Sequence, residues 1–302
     1  MNKLLIVITG PTASGKTDLS IQLAKYFSTE IISADSRQFY KELNIGTAKP
    51  SADQLQVVQH HFINSLSVTR DYNAGQYETD CISLLEKLFL RYDKIILTGG
   101  SGLYIQSVLS GMDQLPKPDD DLRKSLKEEF NKKGIEFLRK QLSVLDPEYY
   151  SQVDLQNPQR LMRAIEVCML TGKKYSSLRN KKNTSRFFSS VIIGTDLPKM
   201  ELYRRINART DEMLEAGWAE EVKTLMLFKN FNSMQTVGYN ELVAFHEGIL
   251  TMNEAIEKIK QNTRNYAKRQ LTWLRKMKGI SWFSPFDFDA IVKFIETQSQ
   301  KA

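Results

Sequence analysis

The sequence predicts an α/β fold in which helices flank a parallel β-sheet and an all-helical module is inserted into the core. Short apolar strands alternate with amphipathic helices over residues 4–98, and a glycine-rich turn follows the first strand. After a proline-containing break near residue 115 the pattern becomes helical. Parallel strands need a crossover connection, usually a helix, so this alternation is typical of a parallel sheet with right-handed crossovers.

The predicted core begins at the amino end. Leu4–Thr9 is a continuous apolar run, as expected of a strand that is buried on both faces. Periodicity and turn residues predict further strands at 31–33, 94–98 and 187–194, and helices at 18–27 and 76–92.

Breaker residues mark the start of a second unit. The segment 115–121 contains two prolines and ends in three aspartates, which suit the N-terminal cap of a helix. From 122 to about 180 only helical patterns occur, with turns near Gly134, Pro147 and Pro158.

These boundaries predict two domains. The core comprises 1–112 and 187–302, and the helical insertion comprises 113–186. Within the core, 199–278 is predicted to be helical with a break at 229–238.

Composition restricts the class of protein. Of the 302 residues, 41% are hydrophobic and 25% charged, as in globular proteins that bury a core. Cys81 and Cys168 are far apart, so we expect neither a disulfide framework nor a zinc site, and this usage fits a reducing compartment. No apolar run approaches the ~20 residues of a membrane span. We expect a cytoplasmic monomer without membrane contact.

Positive charge is concentrated in two segments. The net charge is +7, yet 155–190 carries eight basic residues against one acid, and 258–278 carries eight basic residues and no acid. Two basic segments on a mildly acidic body indicate a polyanionic partner. Charge alone fits two solvated helix faces equally well.

The turn after the first strand carries a phosphate-binding motif. Residues 10–17, GPTASGKT, match G-x-x-x-x-G-K-[ST] at every fixed position and lie between a strand and a helix. That context identifies a P-loop, so the predicted sheet is of the P-loop NTPase type. The backbone N–H groups favour a phosphate anion, Lys16 adds positive charge, and the Thr17 hydroxyl can ligate Mg²⁺. The motif predicts a bound di- or triphosphate without identifying it as ATP.

Two further loops are expected beside the P-loop. Strands of a parallel sheet point the same way, so the loops after residues 9, 33 and 98 meet at one edge. Asp35 and Ser101 follow the second and third predicted strands and should therefore lie near Lys16. The strand 94–98 ends in glycines, without the Mg²⁺-binding aspartate usual in P-loop ATPases. The alternatives are that Asp35 serves a cap or turn and that Ser101 lies in a tight turn.

Strings along nearly the whole chain resemble one family, the tRNA dimethylallyltransferases, also called tRNA isopentenyltransferases. The strings are GPTASGKT at 10–17, SADSRQ at 33–38, NIGTAKP at 44–50, HHF at 60–62, TGGSGLY at 98–104, NPQRLMRAIEV at 157–167, RINAR at 205–209, VGY at 237–239 and AKRQLTWLR at 267–275. Many enzymes share the P-loop, whereas this combination in this order is specific.

The resemblance implies an enzyme that transfers the dimethylallyl group of dimethylallyl diphosphate, with Mg²⁺, to tRNA. The acceptor would be N6 of the adenosine 3′-adjacent to the anticodon in tRNAs that read codons beginning with U. Asp35 would be the general base, and Ser101 would assist at the same amine. The diphosphate would be held by Gly10, Thr12, Ala13, Ser14, Gly15, Lys16, Thr17 and Arg209. The anticodon stem-loop would contact Asp35, Ser36, Arg37, Gln38, Ser101, Arg123, Gln159, Arg160, Leu161, Met162, Arg163, Thr236, Gly238 and Tyr239.

The chain departs from the family pattern at Ser101, where threonine is more usual. Serine keeps the hydroxyl but loses the methyl group that restricts the rotamers of threonine. We expect function to survive, with the polar contact held less rigidly.

The residues suit this chemistry. An adenine amine is a poor nucleophile because its lone pair is delocalised, so it needs an acceptor such as the Asp35 carboxylate. Lys16, Arg209 and the P-loop amides can stabilise the leaving diphosphate. The target base is stacked in the anticodon loop and must be extruded to react.

Three other functions remain open at this point. A small-molecule kinase using ATP would need no basic helical insertion. An isopentenyltransferase that acts on free AMP would need neither the basic segments nor the motif at 157–167. A non-catalytic RNA-binding protein fits the charge but leaves the P-loop unexplained.

Overall fold

A computed structural model describes residues 3–113, 115–179 and 184–301. The chain forms two compact units. The core unit contains the described residues up to Ser110 together with those from Ser185 onward, and the insertion unit contains those within Gly111–Thr184.

The helices are numbered here in chain order. They are α1 (Lys16–Tyr26), α2 (Ala52–Val57), α3 (Ala74–Leu88), α4 (Gly102–Ser110), α5 (Asp120–Lys133), α6 (Ile135–Leu145), α7 (Pro147–Tyr150), α8 (Pro158–Thr171), α9 (Tyr175–Leu178), α10 (Lys199–Glu215), α11 (Trp218–Thr224), α12 (Tyr239–His246), α13 (Met252–Leu274) and α14 (Phe288–Lys301). Short 3₁₀ turns occupy Ile45–Thr47, Met226–Phe228 and Asn232–Met234.

One parallel sheet organises the core unit. Its strands are β1 (Leu4–Thr9), β2 (Ile31–Ser33), β3 (His60–His61), β4 (Lys94–Gly99), β5 (Ser189–Thr195) and β6 (Ile280–Phe283). Over the described residues the strand order is β3-β2-β4-β1-β5-β6, and each neighbouring pair is parallel. The predicted α/β class is therefore confirmed.

The continuous apolar run of β1 is explained by burial on both faces. Because side chains alternate along a strand, Leu4, Ile6 and Ile8 enter one hydrophobic cluster, while Leu5 and Val7 enter another. Helices α1 and α14 cover the first face, and α3 and α4 cover the second. The loops at the carboxyl ends of β1, β2 and β4 carry the P-loop, Asp35 and Ser101.

Local sequence signals start the helices that flank the sheet. The Asn73 side chain accepts hydrogen bonds from the N–H groups of Gly75 and Gln76, and the Gln76 side chain returns a contact to the backbone of Asn73. This capping box supplies partners for N–H groups that the first turn of α3 leaves unpaired.

The insertion unit has its own hydrophobic core. Asp119 caps α5 by accepting a hydrogen bond of 2.8 Å from the N–H of Leu122, and Gly134, at φ +73°, separates α5 from α6. Leucines 126, 138, 142 and 161 pack together inside the unit. The predicted helical character of this segment and its turn positions are confirmed.

Several boundaries differ from the predictions. The sequence missed β3, which has only two residues, and β6, which has four residues and follows α13 after a turn at 275–279. The carboxyl-terminal helical part breaks at 216–217 and 247–251 as well as within 225–238. Gly217 and Gly248, both with positive φ, end helices at two of these breaks, and helical periodicity alone does not reveal such interruptions.

Candidate active site

The P-loop connects β1 to α1 in a conformation fixed by backbone geometry. Gly15 immediately precedes α1 with φ +85°, a left-handed conformation that glycine adopts without strain, and Ala13 has φ +63°. The Ser14 hydroxyl lies 2.6 Å from the Thr195 hydroxyl on β5 and ties the loop to the sheet. The turn and the start of α1 together present backbone donors suited to an anion.

Lys16 is half-buried at the start of α1. Its ammonium group donates a 2.6 Å hydrogen bond to the carbonyl of Pro11, across the P-loop. Burial, and to a smaller extent the nearby Arg209 guanidinium, lowers the pKa of Lys16 to about 7, while the Asp35 carboxylate acts in the opposite direction. A diphosphate would supply the full negative charge that the Pro11 carbonyl does not carry.

Arg209 and Gln270 hold the same P-loop residue. Arg209, on α10, donates a hydrogen bond to the Thr12 hydroxyl, and burial lowers the pKa of Arg209. Gln270, on α13, accepts from the N–H of Thr12 at 2.9 Å and donates to the carbonyl of Gly100 at 2.9 Å. One side chain thus joins the loop after β1 to the loop after β4.

Asp35 and Ser101 lie on adjacent loops that are hydrogen-bonded to each other. The Ser101 hydroxyl accepts from the N–H of Ser36 at 3.0 Å and donates to the Ser36 hydroxyl at 3.2 Å. The Asp35 carboxylate accepts from the N–H of Arg37 at 2.9 Å. Ser101 therefore fixes the loop that carries Asp35, a contact that the hydroxyl of serine provides without the methyl group of threonine.

Two adjoining cavities lie in the core unit. The first, of about 530 Å³, is lined by residues 12–18 of the P-loop region, by Asp35 and by Arg209, and we call it the P-loop cavity. The second, of about 420 Å³, is lined by Arg37, Thr236 and Arg269 among others, and we call it the Arg37 cavity. Six residues line both cavities: Thr12, Asp35, Thr47, Ala48, Arg209 and Tyr266. The predicted carboxylate thus lies at the junction of the two.

The other residues expected to contact tRNA in the core unit have varied surroundings. Ser36, Arg37 and Thr236 line the Arg37 cavity. The Arg37 guanidinium donates to the carbonyls of residues 232, 233 and 235, and the Gln38 amide donates to those of residues 47 and 48. Arg37 therefore shapes the wall of the Arg37 cavity, and Gln38 that of the P-loop cavity, through contacts with the backbone.

Gly238 and Tyr239 pack against the Trp218 ring. The Tyr239 side chain is fully buried and donates a 2.7 Å hydrogen bond to Glu221. A Cβ at Gly238 would lie 2.0 Å from the Trp218 ring, so only glycine fits there. Packing against Trp218 thus directs the Tyr239 ring into the hydrophobic core and leaves room only for hydrogen at Gly238, and a tRNA contact at these two positions stays a prediction.

In the insertion unit, the expected tRNA contacts divide between surface and interior. Gln159 and Arg160 are exposed, and Met162 is half-buried, whereas the Leu161 side chain lies within the hydrophobic core. Leu161 is one of the inward-facing positions of the amphipathic helix α8, and the tRNA contacts expected along 159–163 stay predictions.

Arg123 and Arg163 share a buried carboxylate in the insertion unit. Glu166, only 1% exposed, accepts hydrogen bonds from Arg123 at 2.8 Å, from Arg163 at 2.5 Å and from the N–H of Asp119 at 3.0 Å. Arg163 also donates to the carbonyl of Pro116 at 2.8 Å. Contacts inside the insertion unit thus hold the side chains of Arg123 and Arg163 in place.

The residues around Thr17 fit a shared Mg²⁺ and not a closed protein site. Within the described part of the chain, no group of three or more His, Cys, Asp or Glu residues could hold a metal. Thr17 and Asp18 line the P-loop cavity, and Asp18 also accepts a 3.1 Å hydrogen bond from Gln54. Mg²⁺ commonly takes one or two protein oxygens and completes its shell with phosphate and water, which this donor set allows.

Most basic residues of the segment 258–278 are exposed. Lys260 pairs with Asp211 at 2.7 Å and Arg264 donates to Asn207 at 2.7 Å, so these two stabilise the packing of α13 on α10. The remaining basic residues of the segment are exposed: Lys258, Lys268, Arg269, Arg275, Lys276 and Lys278. In the segment 155–190, Lys181 and Lys182 lie outside the described residues.

Sequence reasoning missed two residues of the site. Gln270 and Tyr266 both lie in the basic segment 258–278, where charge was the visible signal. Neither the buried amide of Gln270 nor the ring of Tyr266 can be distinguished by spacing from other residues of a helix. The only available indication for Gln270 was its place in the string AKRQLTWLR.

Comparisons with known proteins agree with this geometry. A family model described as IPP transferase matches residues 38–277. The tRNA dimethylallyltransferase of Cytophaga hutchinsonii is 45% identical over 301 residues, covering 100% of this chain and 99% of that protein. That of Christiangramia forsetii is 47% identical over 300 residues, covering 99% of each.

Solved structures give the same result. A tRNA isopentenylpyrophosphate transferase from Bacillus halodurans has a TM-score of 0.73 at 34% identity, covering 100% of this chain and 98% of that one. A eukaryotic dimethylallyltransferase acting on tRNA has a TM-score of 0.79 at 28% identity, covering 95% of this chain and 75% of that one.

Proposed function

The chain belongs to the IPP transferase family, and we propose that it transfers the dimethylallyl group of dimethylallyl diphosphate to N6 of the adenosine 3′-adjacent to the anticodon. The tRNAs served would be those that read codons beginning with U. The proposal rests chiefly on one observation: Asp35 and Arg209 line both the P-loop cavity and the Arg37 cavity. A donor and an acceptor that enter different cavities would meet at these two residues.

The P-loop cavity suits the diphosphate of the donor. Lys16 and Arg209 supply positive charge, and the P-loop with the start of α1 supplies backbone donors. Negative charge grows on the diphosphate as the carbon–oxygen bond breaks, so these groups bind the transition state more strongly than the ground state. Thr17 would help to hold Mg²⁺, which would supply further neutralisation of the negative charge.

The Arg37 cavity suits the extruded adenosine. The Asp35 carboxylate can accept an N6 hydrogen bond and then the N6 proton as the new carbon–nitrogen bond forms. Ser101 holds the loop of Asp35 through Ser36, and its hydroxyl lies within that hydrogen-bond network. The exposed basic residues of the segment 258–278 would provide phosphate contacts for the anticodon arm.

The surroundings of the reaction follow from composition and chemistry. Both cysteines are buried free thiols, and such usage is ordinary in a reducing cytoplasm, where tRNA is also found. None of the helices in the described ranges has the length and apolar character needed to cross a bilayer. We propose that the protein acts in the cytoplasm as a monomer.

The test is a transfer assay with an anticodon stem-loop that carries the target adenosine. Incubation with dimethylallyl diphosphate and Mg²⁺, followed by nuclease digestion and mass spectrometry, should show one added dimethylallyl group at that adenosine. A stem-loop with guanosine at the position, free AMP, and ATP as donor are the controls. Modification of AMP alone, or use of ATP in place of the prenyl donor, would contradict the proposal.

A further inference from the structure

Tyr266 occupies an unusual place among the residues that line both cavities. Of those six, Asp35 and Arg209 are charged, and Thr12 accepts a hydrogen bond from Arg209. Thr47 donates its hydroxyl proton to the carbonyl of Leu43 at 2.7 Å, and Ala48 offers only a methyl group. Tyr266 is therefore the one large neutral side chain at the junction.

The ring of Tyr266 is available to a ligand. The residue is 37% exposed, although the nearby positions Ala267 and Gln270 of α13 are buried. The Arg269 guanidinium lies 5.9 Å from the ring centroid, at the outer limit of a cation–π contact. Among the residues that the structure describes, no other cation and no other ring contacts it. Burial and the Asp35 charge raise the pKa of Tyr266 to about 12, so the ring stays an uncharged phenol at neutral pH.

The proposed reaction places positive charge at this junction. The bond between C1 of the dimethylallyl group and the diphosphate oxygen breaks, and its electron pair stays on the diphosphate. The N6 lone pair forms the new C1–N bond, and an N6 proton passes to Asp35. While the old bond is longer than in the donor and the new one is incomplete, the allyl group carries partial positive charge, which an aromatic face attracts.

We propose that Tyr266 is a catalytic residue whose ring faces the allyl group and stabilises its positive charge in the transition state. The inference rests on the proposed function. A ring is suited to this place because a second carboxylate would compete with Asp35 for the proton and a second cation would repel the allyl group. The hydroxyl has no required part, so the ring alone should suffice.

Substitution at Tyr266 separates the ring from the hydroxyl. Tyr266→Phe should keep kcat within about threefold, whereas Tyr266→Leu should lower kcat by about 10–30-fold, the range of a desolvated cation–π contact. The KM values for tRNA and for dimethylallyl diphosphate should change little in both. Tyr26→Phe and Tyr26→Leu are matched controls, since Tyr26 is an exposed tyrosine at the end of α1 that lines neither cavity.

A fluorination series provides a readout that a structural role would not change. Phenylalanine analogues with one, two and three ring fluorines, incorporated at 266, keep the shape but weaken the negative face of the ring. The logarithm of kcat should fall in step with the number of fluorines.

Three outcomes would overturn the inference while leaving the proposed function intact. One is a kcat that is insensitive to fluorination. Another is a Tyr266→Leu variant that loses tRNA affinity at unchanged kcat, which would make the ring a stacking surface for the base. The third is a Tyr266→Phe variant as slow as Tyr266→Leu. Absence of transfer by the unaltered protein would instead reject the proposed function itself.

Discussion

At the scale of single residues, Asp35 is the group on which the chemistry depends most. Its carboxylate lines both cavities and its loop is held by Ser101. We expect Asp35→Ala to lower kcat by about 10²–10⁴-fold, the usual contribution of a general base, with tRNA affinity nearly unchanged. Single-turnover kinetics and a binding titration measure the two quantities. Asp71→Ala, at an exposed site outside both cavities, is the control, and unchanged turnover in Asp35→Ala would remove this residue from the mechanism.

Lys16 gives the site a pH dependence whose direction follows from its surroundings. Its pKa of about 7 in the free protein should rise when a bound diphosphate supplies negative charge. At a pH between the pKa of the free and that of the bound protein, Lys16 therefore takes up a proton when the donor binds. Donor affinity should therefore weaken as pH rises above about 7. Calorimetry at pH 8 in buffers of different ionisation enthalpy measures the uptake. Lys16→Met should abolish it, and equal uptake in that variant would assign the proton to another group.

Among the secondary-structure elements, α13 joins the loop after β1 to the loop after β4 through Gln270. Gln270→Met removes partners of the Thr12 N–H and the Gly100 carbonyl, and each unsatisfied buried group costs about 1–3 kcal/mol. We expect a lower free energy of unfolding and a higher KM for dimethylallyl diphosphate. Urea denaturation and steady-state kinetics test both. Gln261→Met, at an exposed site on the same helix, should change neither.

The buried Glu166 should stabilise the start of α5 against α8. Glu166→Gln keeps the shape but leaves Arg123 and Arg163 without their carboxylate, and we expect a loss of about 1–3 kcal/mol in local opening free energy. Amide hydrogen exchange in α5 and α8 of the full chain measures it. Glu136→Gln is the matched control, because Glu136 also pairs with an arginine but is 76% exposed, where such pairs contribute little. Equal protection in both variants would contradict the prediction.

Elements also show how far the sequence could predict this molecule. The apolar run of β1 and the motif that follows it carry their own signals, so the sheet class and the position of the P-loop could be predicted. Strand β3 could not be predicted, because two residues are too few to show a periodicity. The burial of Leu161 and Tyr239 could not be predicted either, because both lie in motifs that were expected to contact tRNA. Those features depend on contacts with residues distant in sequence, such as Trp218 with Gly238.

For the whole molecule, electrostatics should dominate tRNA affinity. The exposed basic residues of the segment 258–278 would neutralise phosphates and release counterions, so affinity should fall by on the order of 100-fold or more between 50 and 200 mM salt. Replacing Lys268 and Arg269 by glutamine should reduce the slope of log affinity against log salt by about one to two. Filter binding across a salt series measures it. Replacing Lys25 and Lys87, exposed lysines outside the basic segments, should leave the slope unchanged. If the tRNA affinity of the unaltered protein did not change with salt, the basic residues of the segment 258–278 would contact only solvent.

The order in which the sheet is completed has a consequence for synthesis on the ribosome. β1 lies in the middle of the sheet, yet its neighbour β5 begins at Ser189, after the whole insertion unit. At about 5–20 residues per second, the nascent chain spends several seconds with one side of β1 unpaired. During that interval an apolar strand without its neighbour invites mispairing with other chains. Rapid translation through the insertion, or a chaperone that covers β1 meanwhile, would raise the yield of native enzyme.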